Sequence, residues 1–422
     1  MAVRFLRHAG DVSLSRSALR FVFFGLAISS AWGNGHATTY RGLVRELARR
    51  DHQVVFYERR TAWFDANCDL PQADYCDIRR YESWPPPGVE EEVATADVVV
   101  LGSYAGAGFG DGIAIADWLP RSTKALLAYY DIDTPRTLVA FRESGGTDYL
   151  LRSQLPLFDV VLSFGGGPVL DELRQWGARR AEPLYCAIDP EVHRPGAPVA
   201  EYRCDLGYMG TYDESRQDLV EELVVAPARL RPERRFVLAG AQYPEAVERA
   251  LPANVARTSH VQPADHSAFH ASCAWEVKAT RGPMRLAGWS PSVGLFEAAA
   301  CGAALISDRW PGFETFFAPG REALVADTRE DVLEALALPE DARRALGAAG
   351  RARILRQHTY AHRVDQLEVA LAALGVSICG VSAPSSSPES PEEPASPEEP
   401  ASPESPESPE SPEGVARDQD GR

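Results

Sequence analysis

Residues 288–308 read Gly-Trp-Ser-Pro-Ser-Val-Gly-Leu-Phe-Glu-Ala-Ala-Ala-Cys-Gly-Ala-Ala-Leu-Ile-Ser-Asp. The small residues at 297–301 predict a short helix that ends at Gly302, because glycine readily takes the left-handed conformation that closes helices. The apolar run 303–307 follows directly and predicts a strand. A helix that leads into a buried strand is typical of an α/β domain with a parallel sheet.

The same alternation extends outward from this stretch through most of the chain. Short apolar runs separated by helical segments predict strands at 21–28, 53–57, 97–101, 124–130, 159–164, 183–187, 206–210, 235–239, 255–260, 275–279, 303–307 and 323–326. Continuous apolar runs of this length are typical of strands buried on both faces of a parallel sheet. We therefore expect two Rossmann-like, doubly wound α/β domains in tandem, with a ligand in the cleft between their strand ends.

The alternation lapses in a proline-containing polar stretch at 189–202, which predicts a domain boundary. The expected organisation is a flexible extension at 1–19, a first domain at 20–190, a second domain at 203–357, a helix at 358–375 that packs back on the junction, and a tail at 383–422. This Ser/Pro/Glu-rich tail is expected to be disordered, because it cannot bury enough apolar area to offset the entropy of ordering. Its composition favours a spacer or solubility role over a docking segment.

Net charge and cysteine pattern argue against some classes of partner and site. The 422 residues carry a formal net charge of −17, and the tail alone holds eleven acidic residues against two arginines. This acidity argues against a nucleic-acid partner. The seven cysteines are scattered without a C-x-x-C pair, which predicts reduced thiols in a cytoplasmic protein and no metal site. Pairing of Cys68 with Cys76 is the less favoured alternative.

The apolar run 21–28 follows several arginines and has some features of a signal peptide. A helix needs about 20 apolar residues to span a bilayer, and this run is far shorter. The glycine-rich loop directly after it favours a strand followed by a turn. We therefore expect a cytoplasmic protein without a transmembrane segment.

A glycine-rich turn, Gly33-Asn-Gly35-His36, lies between the first predicted strand and the following helix. Glycines there allow backbone N–H groups to approach an anion at the helix N-terminus. The turn lacks the G-x-G-x-x-G spacing of dinucleotide sites. His36 is a candidate catalytic base, since an imidazole accepts a proton near neutral pH. The alternative is a histidine that only caps or hydrogen-bonds the loop.

Two carboxylates, Asp131 and Asp133, follow the predicted strand 124–130. Residues two apart share a face of a strand, so the pair could hold a divalent cation or orient sugar hydroxyls. Asp133 directly precedes Thr134 and Pro135, a sequence that favours helix capping. Asp131 is therefore the candidate for ligand contact and, with His36, for catalysis. A second glycine turn, 164–168, is expected to line the same cleft.

Residues 290–322, with 207–216, 236–240 and 32–40, resemble segments of GT-B glycosyltransferases, in particular the CgeB-like (spore maturation protein-like) and group-one families. The Gly-Asn-Gly-His turn also resembles the glycine loop of the peptidoglycan N-acetylglucosaminyltransferase. The resemblance covers about residues 20 to 374. It implies a GT-B fold and transfer of a sugar from a nucleoside-diphosphate sugar to a glycan, protein or small-molecule acceptor, without a required cofactor or metal.

The resemblance also implies site residues. The acid that matches Glu297 binds the donor ribose in the family, and the glycine loop approaches the donor phosphates. The expected donor-binding residues are Gly33, Gly35, Gly210, Thr211, Arg216, Arg281, Ser290, Ser292 and Glu297. Arg216 and Arg281 are assigned to the diphosphate by their positions beside strand ends, with surface arginines as the alternative. Many retaining relatives carry a second glutamate, and Trp289 stands at that position here.

Two other functions fit the same pattern. A non-catalytic GT-B-like protein would bind a nucleotide sugar or glycan during envelope or spore assembly, because fold alone does not establish activity. A GT-B-type sugar epimerase has less support. Release of a nucleoside diphosphate separates these alternatives from a transferase.

Overall fold

The computed structural model describes residues 18–378, so the predicted tail and nearly all of the N-terminal extension lie outside the described residues. The strands of the first domain are β1 (Arg20–Gly25), β2 (Gln53–Arg59), β3 (Asp77–Tyr81), β4 (Val98–Gly102), β5 (Leu126–Asp131), β6 (Val160–Ser163) and β7 (Ala181–Pro183). Those of the second are β8 (Cys204–Met209), β9 (Phe236–Ala239), β10 (Val255–Thr258), β11 (Cys273–Lys278), β12 (Ala304–Ser307) and β13 (Leu324–Val325).

Helices alternate with these strands along the chain. They are α1 (Gly35–Arg49), α2 (Ala62–Ala66), α3 (Val89–Ala94), α4 (Asp111–Ser122), α5 (Thr134–Ser144), α6 (Pro168–Gln175), α7 (Gln217–Val220), α8 (Ala226–Leu230), α9 (Glu245–Arg249), α10 (His266–Ser272), α11 (Gly282–Ala287), α12 (Val293–Ala300), α13 (Arg329–Ala337), α14 (Glu340–Gln357) and α15 (Tyr360–Ala372). Within residues 18–378, no helix combines the length and the apolar character needed to cross a membrane.

Both sheets are parallel and share one topology. The first has the order β3-β2-β1-β4-β5-β6-β7 and the second the order β10-β9-β8-β11-β12-β13. In each sheet the chain starts at an inner strand, runs to one edge, and then returns to build the other side. The strand order therefore reverses between β1 and β4 and between β8 and β11. The predicted fold class, two doubly wound Rossmann-like domains, is confirmed.

Strand β1 shows why the apolar run near residue 21 belongs to a strand. Phe21 and Phe23 point into one buried cluster and Val22 and Phe24 into the cluster on the opposite face of the sheet. A strand at the centre of a parallel sheet is covered on both faces, so it needs apolar residues at every position rather than at alternate ones.

The sequence pattern missed one strand and misplaced another. Strand β3 lies at the edge of the first sheet and has the sequence Asp-Ile-Arg-Arg-Tyr. Charged residues on an edge strand discourage pairing with further strands. The strand therefore has no apolar run from which it could be predicted. The predicted strand at 183–187 instead ends at Pro183. The carbonyls of Tyr185 and Cys186 accept hydrogen bonds from the guanidinium of Arg363, so a side chain rather than a strand satisfies them.

The last helix, α15, packs on α1 of the first domain. The ring of Tyr360 lies so close to Gly42 that a Cβ there would come within 1.9 Å of it. Arg50, at the end of α1, makes an ion pair with Glu368 of α15 at 2.9 Å. The chain thus crosses between the two domains at residues 184–203 and again after α14, so the second domain is attached to the first at two places.

Candidate functional site

The reversal points of the two sheets place four loops where a ligand can enter. The carboxyl ends of adjacent parallel strands diverge there and leave a crevice. In the first domain the crevice lies between the loops after β1 and β4, which contain the Gly33–His36 turn and Tyr104. In the second it lies between the loops after β8 and β11, which contain Gly210 and Arg281.

Contacts between the two domains join loops at the strand ends of both sheets. The indole of Trp32 lies against the imidazole of His260, with ring centroids 3.8 Å apart. Nη2 of Arg281 lies 3.0 Å from Oδ1 of Asp133, which follows β5. The loops after the strands of both sheets therefore line one cleft.

Asp133, rather than Asp131, presents its carboxylate to this cleft. Asp133 occupies the N-cap position of α5, yet its side chain makes no capping hydrogen bond. Its Oδ2 accepts a hydrogen bond from the hydroxyl of Tyr104 at 3.3 Å, and its Oδ1 faces Arg281. The predicted cap position of Asp133 is confirmed, but its carboxylate binds Tyr104 and Arg281 instead of making the capping hydrogen bond.

Asp131 is fully buried behind this loop. Its Oδ1 accepts hydrogen bonds from the Asp133 N–H and the Thr137 hydroxyl, both at 3.1 Å, whereas Oδ2 has no partner among the described residues. Burial raises the pKa of Asp131 to about 7, although the Thr137 hydroxyl and the Asp133 N–H oppose the shift. Its carboxyl group orders the loop that carries Asp133, and its predicted catalytic role stays a prediction.

His36 is the second residue of α1. Asn34 is the N-cap of that helix and accepts hydrogen bonds from the backbone N–H groups of His36 and Ala37, so His36 does not cap it. The imidazole stands perpendicular to the ring of Tyr104 at 5.1 Å between centroids, and its Nδ1 has no partner among the described residues. Burial lowers the pKa of His36 to about 4, with Asp133 raising it and Arg281 lowering it further. The ring is therefore neutral at neutral pH.

The predicted glycines occupy turns at both crevices. Gly33 has a φ of 61° and Gly35 opens α1. After β8, a Cβ on Gly210 would lie 2.6 Å from the hydroxyl of Tyr208, and one on Gly240 would lie 1.9 Å from the carbonyl oxygen of Gly210. The ends of β8 and β9 can approach each other this closely only with glycine at position 240, whereas the nearest neighbour of Gly210 is a side chain of its own strand.

The predicted cations have different surroundings. Arg216 donates to the carbonyl of Thr211, after β8, and to that of Ala279 at 3.5 Å, after β11. It therefore joins the two walls of the crevice, and Thr211 itself is exposed. Arg281 precedes α11 and reaches across to the first domain.

Lys278, at the end of β11, was not among the predicted residues. It is buried, and its ammonium group is paired with Glu276. Its Nζ also lies near the first turn of α12, where it would be 3.7 Å from a Cβ placed on Gly294. Glu276 also contacts His270, and these two partners outweigh burial and hold the pKa of Glu276 at about 2. A lysine inside an otherwise buried strand was the available sequence signal, since burying an ammonium group needs a partner.

Glu297 lies in α12, whose N-cap is Ser292. The Ser292 hydroxyl accepts a hydrogen bond from the Leu295 N–H at 3.3 Å, so this predicted donor-binding residue also caps the helix. Oε1 of Glu297 lies 3.3 Å from Nε2 of His193, and Oε2 lies 3.8 Å from Nδ1 of His266. The two histidines overcome burial and hold the pKa of Glu297 well below its usual value. The predicted residue Ser290 is buried just before α12.

Trp289 connects the glycine turn at 164–168 with the second domain. Its carbonyl accepts a hydrogen bond from the Gly166 N–H at 3.0 Å, and its own N–H donates to the Pro311 carbonyl at 2.7 Å. The indole fills the space between Gly167 and Gly312, where a Cβ would come within 2.7 and 2.4 Å of it, respectively. The residue at the position of the missing glutamate is thus an interdomain contact.

Among the described residues, no group of three histidine, cysteine, aspartate or glutamate side chains is arranged to hold a metal ion. The six described cysteines are free thiols, including Cys68 and Cys76. The favoured prediction of unpaired cysteines therefore agrees with the geometry of residues 18–378.

Comparison with known proteins identifies the fold. A family described as Glycosyl transferase-like matches residues 216–369. The fold is similar to those of sucrose-phosphate synthase from Thermosynechococcus elongatus (TM-score 0.60, 15% identity) and Anabaena HepE in complex with UDP-glucose (TM-score 0.59, 12% identity), each over 84% of this chain and 100% of the other. The N-terminal domain of trehalose-6-phosphate phosphatase from Candida albicans is similar over 86% of this chain and 98% of that one (TM-score 0.59, 12% identity). A search of curated proteins gave no significant match. The fold is GT-B.

Proposed function

We propose that this protein is a glycosyltransferase that moves a hexosyl group from a nucleoside-diphosphate sugar to an acceptor. The donor would bind the domain at 203–357 and the acceptor the domain at 20–190. The observation that carries the proposal is the 3.0 Å contact between Arg281 and Asp133, which brings strand ends of the two sheets to a single cleft. The match of residues 216–369 to a Glycosyl transferase-like family supports the same reaction class.

Four residues of the second domain support binding of a nucleoside diphosphate there. The ionised carboxylate of Glu297 is suited to accept hydrogen bonds from the two ribose hydroxyls. Gly210 has no side chain that would keep phosphate oxygens away from its backbone. Lys278 and Arg281 stand at the end of β11 and would neutralise the charge that develops on the departing diphosphate.

The first domain has a group that can take the acceptor proton. In the proposed step an acceptor hydroxyl attacks the anomeric carbon, the bond from that carbon to the phosphate oxygen breaks, and its electron pair leaves with the diphosphate. The imidazole of His36, which is neutral at neutral pH, is the group proposed to accept the hydroxyl proton. When the diphosphate attracts Arg281, Asp133 is freed to stabilise the protonated His36.

Release of nucleoside diphosphate tests the proposal. The protein is incubated with UDP-, GDP-, dTDP- and CDP-sugars, with and without cell extract as a source of acceptor. We expect one donor class to be converted, and conversion to fall at least 100-fold in the Glu297→Ala and Arg281→Ala variants. Arg309→Ala is the matched control, because Arg309 is exposed and pairs only with Asp327 among the described residues. Absence of conversion in every mixture would contradict a transferase.

The second candidate is a non-catalytic protein that binds a nucleotide sugar or a glycan. The resemblance to GT-B glycosyltransferases favours it at one position, because Trp289 stands where many retaining relatives carry a glutamate. Calorimetric binding of a nucleotide sugar without any release of nucleoside diphosphate, in the presence of the same extracts, would establish this function instead.

A further inference from the structure

A chain of polar contacts runs from α1 of the first domain to α12 of the second through the segment that connects the two sheets. Nη1 of Arg45, on α1, lies 2.8 Å from Oδ2 of Asp189. The backbone N–H of Asp189 donates to Nδ1 of His193 at 3.2 Å. Nε2 of His193 then lies 3.3 Å from Oε1 of Glu297.

Three members of this chain are almost fully removed from solvent. The exposed fractions are 3% for Asp189, 7% for His193 and 6% for Glu297. Nδ1 of His193 lies 3.2 Å from both the backbone N–H and the backbone carbonyl of Asp189, so the ring is anchored on that side and its Nε2 faces the carboxylate. A buried carboxylate with a fixed donor has one preferred orientation, and loss of that donor would leave a charge without its partner.

His266 is the other histidine near this carboxylate, but it is less suited to fix it. Its Nδ1 lies 3.8 Å from Oε2 of Glu297, beyond hydrogen-bond distance, and its side chain is 30% exposed. His193 is both closer and held on its second nitrogen.

We propose that His193 is a positioning residue that sets the Glu297 carboxylate for the ribose hydroxyls and couples that orientation to the first domain through Asp189 and Arg45. The inference rests on the proposed function, in which Glu297 binds the donor ribose. It assigns a binding role to the connecting segment, because His193 belongs to neither sheet. The same contacts join the ribose site to α1, the helix that carries His36.

The test compares ribonucleotides with their 2′-deoxy counterparts, because a general structural defect would weaken both equally. Affinities of UDP, GDP, ADP and CDP and of the four 2′-deoxy nucleotides are measured by calorimetry on the full chain. The variants are His193→Leu, His193→Gln and Glu297→Gln, with His362→Gln as a histidine control in the α15 cap. Thermal unfolding confirms that each variant is folded.

We expect His193→Leu to reduce the preference for the ribonucleotide about tenfold, which corresponds to the loss of one hydrogen bond to a charged group. His193→Gln keeps an N–H donor and should restore most of the preference, and His362→Gln should not change it. If Glu297→Gln removes the preference while His193→Leu retains it, the positioning role is overturned and the proposed ribose site stands. If Glu297→Gln also retains the preference for the ribonucleotide, both the ribose site at Glu297 and the positioning role of His193 are contradicted.

Discussion

The guanidinium of Arg281 and the carboxylate of Asp133 lie 3.0 Å apart, although 148 positions separate them in the chain and they follow strands of different sheets. The same arginine is the cation proposed for the donor diphosphate. A diphosphate and Asp133 therefore compete for one guanidinium, and the free protein has the cleft already bridged. This competition makes donor affinity and turnover respond in opposite directions to one substitution.

Asp133→Asn should raise the affinity for UDP-sugar or the donor found in the release assay by about threefold, because Arg281 loses its competing carboxylate. Turnover should fall at least tenfold, since the proton on His36 loses a nearby negative charge. The affinity is measured by calorimetry and the turnover by diphosphate release. Unchanged affinity together with normal turnover would show that Asp133 has no part in either step.

Acid should destabilise the protein through His36. Its pKa is about 4 in the folded state and about 6.5 when unfolded, so protons bind preferentially to the unfolded chain as the pH falls from 6.5 towards 4. The stability contributed by the neutral ring is present above pH 6.5 and is lost across this interval. His36→Gln should lose less stability over the same interval in urea titrations. Parallel curves for the two proteins would contradict the burial of the ring.

Asp131 should respond to pH in the opposite sense. A carboxyl group with a folded pKa of about 7 and an unfolded pKa of about 3.9 favours the folded state when protonated, so its contribution declines as the pH rises through this range. Asp131→Asn, which mimics the neutral acid and keeps an acceptor oxygen, should gain stability relative to the wild type between pH 4 and pH 7. The difference in unfolding free energy at the two pH values checks this. If the two proteins differ by the same unfolding free energy at pH 4 and at pH 7, the raised pKa of Asp131 is contradicted.

Gly42→Ala should destabilise the packing of α15 on α1 by about 1–3 kcal/mol, because the added methyl group would meet the ring of Tyr360 at 1.9 Å. Gly35→Ala is the control in the same helix, since nothing lies within 4 Å of its added Cβ. Chemical denaturation of the two variants should show a loss for the first and little change for the second. Equal midpoints would mean that α15 moves to accept the methyl group.

The sequence predicted the sheets well because burial on both faces leaves a continuous apolar run, as in β1. It failed at β3, where an exposed edge permits charges. It did not predict that the Asp133 carboxylate faces the cleft, because local rules make Asp133 a cap and its contact with Arg281 comes from another domain. His193 was not predicted for a similar reason: its partner Glu297 is more than one hundred residues away, and nothing near it in the sequence indicates that contact.

The Trp289 indole packs between Gly167 and Gly312, and this packing limits which residues can stand at the two glycine positions. Any side chain larger than hydrogen at either glycine would collide with the ring, so a substitution there demands a smaller residue at 289 in the same step. Both glycines also have a positive φ that other residues rarely adopt, so with tryptophan at 289 the two positions should remain glycine in any related sequence.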